Sequence, residues 1–224
     1  MALTPPRAVL FDLDGTLVDS APDLAGAMNR LRQQRGLPTT PYEQLRPHAS
    51  AGARGLIGAA FGMVPGDLDY EQLRVEFLDH YAAAIAVESA LFAGIDALLL
   101  KLQEQHIAWG IVTNKAARFT DALVPQLALA AARCVISGDT TPHAKPHPAP
   151  LLEAAQRIGV AAEDCWYVGD DLRDIVAGNA AGMATIAAEY GYIGTGESSI
   201  AWPATGWIAD PLALLNWLPS RRGG

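Results

Sequence analysis

The sequence predicts an α/β fold: a Rossmann-like, mainly parallel sheet with an inserted α-helical module. Three observations carry this reading. Short aliphatic or β-branched runs alternate with longer segments of helical period, the pattern of strands linked by crossover helices. The interval from Phe11 to Phe92 breaks that rhythm and holds only helical patterns. Acidic or small polar residues follow several of the apolar runs, at the strand ends where open α/β sheets bind their ligands.

Core strands are expected near residues 8–13, 107–112, 134–137, 165–168 and 183–187, with a last short strand at Trp207-Ile208-Ala209. Each is a brief apolar run, as strands covered on both faces are. Residues 95–105, 116–129, 148–158 and 172–181 carry apolar side chains at three- and four-residue spacing and should be helices on the sheet faces. Inside the long interval, helices are expected at 21–35, 42–45, 53–61 and 70–87, broken by Gly36-Leu37-Pro38 and Gly62-Met63-Val64-Pro65-Gly66. The chain therefore divides into a core of residues 1–18 and 92–224 and a helical insertion of residues 19–91, with linkers near 18–21 and 88–94.

Composition narrows the function. Half of the 224 residues are hydrophobic, enough to bury a core. No apolar run reaches the roughly 18 residues of a membrane span, and residues 1–7 lack the basic-then-apolar plan of a secretion signal, so the expected location is the cytoplasm. A net charge of −8 without a Lys/Arg cluster argues against nucleic acid as a partner. It does not oppose a small phosphorylated metabolite, because a bound cation and one lysine can reverse the potential inside a pocket. Cys134 and Cys165 open predicted strands and read as small core residues rather than a disulfide. The terminal Arg221-Arg222-Gly223-Gly224 reads as a frayed tail.

The chemistry concentrates in four places. Asp12-Leu13-Asp14-Gly15 follows the first apolar run, and carboxylates two apart on a strand face the same side. One can act as a nucleophile and the other can move the leaving-group proton. Gly15 frees the backbone to turn there. Ile111-Val112-Thr113-Asn114-Lys115 ends a second strand with a hydroxyl and an amide that can donate to phosphate oxygens. Lys145, in Ala144-Lys145-Pro146-His147-Pro148, offers a compact positive charge on a long stem. His143 and His147 are separated by proline and do not read as a zinc pair. Finally, Gly169-Asp170-Asp171-Leu172-Arg173-Asp174 puts three carboxylates after a buried strand, and hard oxygens of this kind suit Mg²⁺. Asp12 and Asp170 are the expected carboxylate ligands and the Asp14 backbone carbonyl a third, with Asp174 and Asp171 holding water in the outer sphere.

Taken in order, Asp12-x-Asp14-Gly15-Thr16-Leu17-Val18-Asp19-Ser20, Thr113-Asn114, Lys145-Pro146 and Gly169-Asp170-Asp171 resemble the four motifs of the haloacid dehalogenase superfamily. The resemblance implies an aspartyl-phosphate on Asp12, acid–base work by Asp14, phosphoryl binding by Thr113 with Asn114, and charge neutralisation by Lys145. It implies Mg²⁺ as cofactor, and that the helical insertion is a cap closing over the site. Asp14 ranks dehalogenation low, since dehalogenase members lack the second aspartate. A phosphomutase shares all four motifs and stays open, as does a non-catalytic role in binding a phosphorylated metabolite.

The substrate must be read from the insertion. Within the glycine-rich stretch from Arg46 to Leu56, His48, Ser50 and Arg54 could meet an anionic or hydroxylated leaving group, or simply face solvent. With Glu189-Tyr190-Gly191-Tyr192-Ile193, the whole chain is similar to the bacterial phosphoglycolate phosphatase group, whose close relatives act on N-acetylmuramic acid 6-phosphate. That similarity implies 2-phosphoglycolate first and the amino-sugar phosphate second, with other small sugar phosphates behind. Oligomeric state is not legible.

Overall fold

The computed structural model describes residues 4–196 and 198–218; the Arg221-Arg222 tail and residues 1–3 lie outside them. Six parallel strands form one sheet: β1 (Ala8–Phe11), β4 (Ala108–Val112), β5 (Val135–Ile136), β6 (Cys165–Gly169), β7 (Ala184–Ala188) and β8 (Gly206–Ile208). Their spatial order is β5-β4-β1-β6-β7-β8. The chain leaves β1 toward one edge and later returns to build the other, so the order reverses around β1, and that reversal opens a crevice at the strands' C-terminal ends.

Alternation along β1 assigns the two layers. Val9 and Phe11 pack with Trp109, Ile111, Trp166 and Val168 against α5 (Ile95–Glu104). Ala8 and Leu10 pack with Val112 and Tyr167 against α7 (Ala149–Ile158) and α8 (Leu172–Ala180). Both faces are covered, which explains the continuous apolar runs. Cys134 and Cys165 are buried free thiols in the second layer, and burial pushes each up to about 11.

The insertion folds as α1 (Ala21–Gln34), α2 (Tyr42–Leu45), α3 (Gly52–Phe61) and α4 (Tyr70–Ala82), with a 3₁₀ turn at Arg46–Ala51. Leu24, Met28, Leu31, Leu56, Leu73 and Phe77 form its own apolar cluster, which Phe119 and Tyr192 join from the sheet side. Two strands not anticipated from the sequence, β2 (Val18–Asp19) and β3 (Ala90–Leu91), pair antiparallel where linkers were expected.

Several ends differ from expectation for identifiable reasons. β1 stops at Phe11 rather than at residue 13, because residues 13–18 close a tight loop in which Leu17 and Val18 both donate to the Leu13 carbonyl. The helix expected through residue 87 stops at Ala82, where buried Asp23 takes over the next segment by accepting from the N–H groups of Val87, Glu88 and Ser89. The helix expected over 116–129 is α6 (Ala117–Leu123) followed by a 3₁₀ turn, because Pro125 removes an N–H and crowds the preceding turn.

Candidate active site

Asp12 leaves the end of β1, Thr113 the end of β4, and Asp170 the end of β6, so the parallel register brings three motif residues to one rim. Lys145 arrives from the loop between β5 and α7 and is almost completely buried. Its ammonium lies 2.9 Å from Asp12 and 2.6 Å from Asp174, and donates to the Val112 carbonyl at 2.9 Å. The Tyr167 hydroxyl lies 2.7 Å away. Those partners fix the head in place.

Carboxylate oxygens of Asp12, Asp170 and Asp174 all lie within 4.8 Å of one another. Lys145 contacts two of the three, Asp12 and Asp174, while Asp170 accepts from the Thr16 and Ser50 hydroxyls and the Tyr192 N–H. Burial, then the neighbouring Asp174 charge working against Lys145, pushes Asp12 up to about 7. Burial and the charges of Asp12 and Asp174 push Asp170 up to about 8. Backbone closes tightly around Asp170: a Cβ on Gly15, at φ +85°, would stand 2.2 Å from Asp170 Oδ2, and one on Gly191 would stand 2.3 Å from Asp170 Cβ. Excess buried negative charge on hard oxygens fits a divalent cation. Of the outer carboxylates, Asp174 is the one beside Asp12 and Asp170. Asp171 caps α8 by accepting from Arg173 N and holds the Arg173 guanidinium at 2.8 Å.

Asp14 lies on the same cavity wall but outside that cluster. Ser20 Oγ donates to it, and Lys115 Nζ sits 3.0 Å from both its oxygens. Lys115 closes the second motif, which by itself assigns it no role. A lone lysine after Thr-Asn looks like a solvated side chain, yet here it is buried over the Tyr81 ring, 4.7 Å from the centroid. Because Ser20 is engaged with Asp14, it does not cap α1. The Tyr192 hydroxyl does so instead, accepting from the N–H groups of Ser20 at 2.7 Å and Ala21 at 2.8 Å.

Thr113 is buried on the cavity wall. Asn114 also lines the cavity, and its amide pairs with the Lys145 main chain in both directions, at 2.8 and 2.9 Å, and so positions the lysine. Ser50 reaches the site, donating to Asp170 Oδ2 at 3.0 Å, and its carbonyl accepts from Arg173. Arg54 does not reach it; it is exposed and lines a separate groove with His48 beyond the Arg173–Ser50 contact. The cavity over Asp12 measures about 320 Å³ and is closed from the insertion side by Leu24, Phe77, Leu78 and Tyr81.

The sequence profile of haloacid dehalogenase-like hydrolases matches residues 6–182. This chain belongs to the haloacid dehalogenase-like hydrolases. Within that family it is 45% identical over 217 residues to a phosphoglycolate phosphatase of Xanthomonas campestris pv. campestris, covering 96% of each chain. It is 40% identical over 215 residues to an N-acetylmuramic acid 6-phosphate phosphatase of Pseudomonas putida, again covering 96% of each. A predicted phosphoglycolate phosphatase from Haemophilus somnus superposes with a TM-score of 0.83 at 25% identity, covering 95% of this chain and 98% of the other. No helix among the described residues of this hydrolase is long and apolar enough to cross a membrane.

Proposed function

We propose that this hydrolase is a Mg²⁺-dependent phosphatase that cleaves 2-phosphoglycolate through an aspartyl-phosphate on Asp12. The observation that carries the reading is the placement of Asp12: a buried carboxylate at the end of the central strand, steadied by Lys145 and opening onto the cavity. Asp12 and Asp170, with the Asp14 carbonyl, are the proposed metal ligands, and Asp174 orders the outer sphere. The metal, when bound, offsets charge on the phosphoryl oxygens. Asp12 attacks phosphorus in line while Thr113 donates to a phosphoryl oxygen and Lys145 offsets the charge that builds up. Asp14 gives its proton to the departing oxygen and later takes one from the water that cleaves the acyl-phosphate. Residues 19–91 act as the cap that keeps bulk water away from this exchange.

The glycolate assignment rests on the Xanthomonas relative, 45% identical over 96% of each chain. The Pseudomonas relative favours the amino-sugar phosphate as the second reading. Phosphate release as kcat/KM with Mg²⁺, over 2-phosphoglycolate, N-acetylmuramic acid 6-phosphate, hexose phosphates and β-glucose 1-phosphate, tests both. A hundredfold preference for phosphoglycolate supports the first reading. The same preference for the amino sugar replaces it with the second, and conversion of β-glucose 1-phosphate to glucose 6-phosphate would make the enzyme a mutase.

A further inference from the structure

Four cations line the cavity, Arg74, Lys115, Lys145 and Arg173, and Lys115 is the one that contacts Asp14. Lys145 contacts Asp12, Asp174, the Val112 carbonyl and Tyr167. Arg173 grips Asp171 through two nitrogens and donates to the Ser50 carbonyl. Arg74 pairs with Glu71 on the outer side of α4 and is 42% exposed. Lys115 differs: both its hydrogen bonds go to one carboxylate, that of Asp14, and an ammonium has three N–H groups. The N–H left over from Asp14 lies beside Tyr81, on a side chain that lines the cavity and is only 7% exposed, where a ligand oxygen can accept from it.

Its position is held from both sides. Asp14 fixes the head from the core, and the Tyr81 ring lies beneath it from α4, itself packed on Phe119 with centroids 5.3 Å apart. The Tyr81 hydroxyl is buried without a partner among the described residues. Buried hydroxyls are normally satisfied, and the cation beside this one is the Lys115 ammonium on the cavity wall. The neighbouring walls, Leu24, Phe77, Leu78 and Phe119, are apolar, and the other charge on this side is Arg74, paired with Glu71 and 42% exposed.

We propose that Lys115 selects the leaving group, binding a carboxylate carried on the same carbon as the ester oxygen. This rests on the reading of Asp14 as the group that protonates that oxygen: whatever atom Asp14 serves, the substituent on the next carbon meets the ammonium that holds Asp14. The substrate class is the phosphate ester of a short 2-hydroxy acid. A neutral alkyl or sugar leaving group gives the ammonium no second carboxylate beside that of Asp14. Tyr81 comes from the insertion, so the selection is complete only when the insertion sits over the core.

The test compares esters that differ only in the carboxylate, 2-phosphoglycolate against ethyl phosphate and 2-phospholactate against isopropyl phosphate, in wild type, Lys115→Met and Lys115→Arg. Wild type should prefer the acid of each pair by about 30- to 100-fold in kcat/KM, the range of a charge-assisted hydrogen bond. Lys115→Met should bring the ratio near unity, whatever its effect on turnover through Asp14, and Lys115→Arg should restore part of it. Dissociation constants for the same esters on the Mg²⁺-loaded Asp12→Asn protein, with and without Lys115→Met, should show the same ratios, and melting temperatures certify that each variant is folded. Equal losses on acid and neutral esters would reduce Lys115 to a holder of Asp14 and overturn the proposal, as would a wild type indifferent to the carboxylate. If 2-phosphoglycolate fails while the 2-phospholactate pair keeps its Lys115-dependent ratio, the glycolate assignment falls and the selection stands.

Discussion

Replacing Lys145 by methionine removes the one ammonium among three buried carboxylates and keeps much of the side-chain volume. Nζ contacts Asp12 at 2.9 Å, Asp174 at 2.6 Å, the Val112 carbonyl at 2.9 Å and Tyr167 at 2.7 Å, so the substitution leaves two buried carboxylates without their cation, each keeping only neutral donors. Breaking a buried pair from one side costs about 3–5 kcal/mol, and little of this is screened by salt because the lysine side chain is 2% exposed. The cost depends on pH with a definite sign. Asp12 and Asp170 are held at about 7 and about 8 when folded, above their ordinary 3.8. Their protonated forms therefore favour the folded state fully below about pH 4, and that contribution is lost as pH rises through about 7 and about 8. Without Lys145, which opposes the rise at Asp12, ionisation meets no compensating charge. Urea unfolding of the metal-free protein should show the variant destabilised by about 1–2 kcal/mol at pH 5.5 and about 3–5 kcal/mol at pH 8. A loss below about 1 kcal/mol at pH 8, or an equal loss at both pH values, would refute the description of the site as buried excess negative charge.

The same charge balance predicts that Mg²⁺ raises the melting temperature of the wild type more at pH 8 than at pH 5.5, where protons already occupy Asp12 and Asp170; calorimetry with and without the ion checks this. Gly15→Ala places a Cβ 2.2 Å from Asp170 Oδ2 at φ +85° and should destabilise by about 2 kcal/mol or more while weakening Mg²⁺ binding, read by urea melts and titration calorimetry. Asp14→Asn should lower kcat on an alkyl phosphate by about 10²–10⁴, with a smaller effect on an ester whose leaving group needs no proton, such as p-nitrophenyl phosphate. Asp23→Ala orphans the N–H groups of Val87, Glu88 and Ser89 and should open the 83–89 segment to limited proteolysis before the rest of the chain.

What the sequence made legible follows from how local each signal is. Strand positions and the rim residues Asp12, Thr113 and Asp170 were readable because an apolar run followed by an acid or hydroxyl is written in consecutive residues. Helix ends were less so. The stop at Ala82 depends on Asp23, far away in sequence, and the β2–β3 ribbon has only two residues per strand, too few to show periodicity. The roles of Asn114, Lys115 and Tyr192 were hidden for the same reason: each is set by a partner brought close by the fold, namely the Lys145 main chain, Asp14 and the start of α1. Pro125 alone gave a local warning that the helix after Thr113 would not run to residue 129.

Mass spectrometry of the enzyme acid-quenched during turnover of 2-phosphoglycolate with Mg²⁺ tests the central claim most directly. The account predicts one phosphoryl group on the peptide containing Asp12, absent from Asp12→Asn and longer-lived in Asp14→Asn, where the attacking water lacks its base. Hydrolysis that proceeds without a phosphoryl group ever appearing on Asp12, or that survives Asp12→Asn, would contradict it.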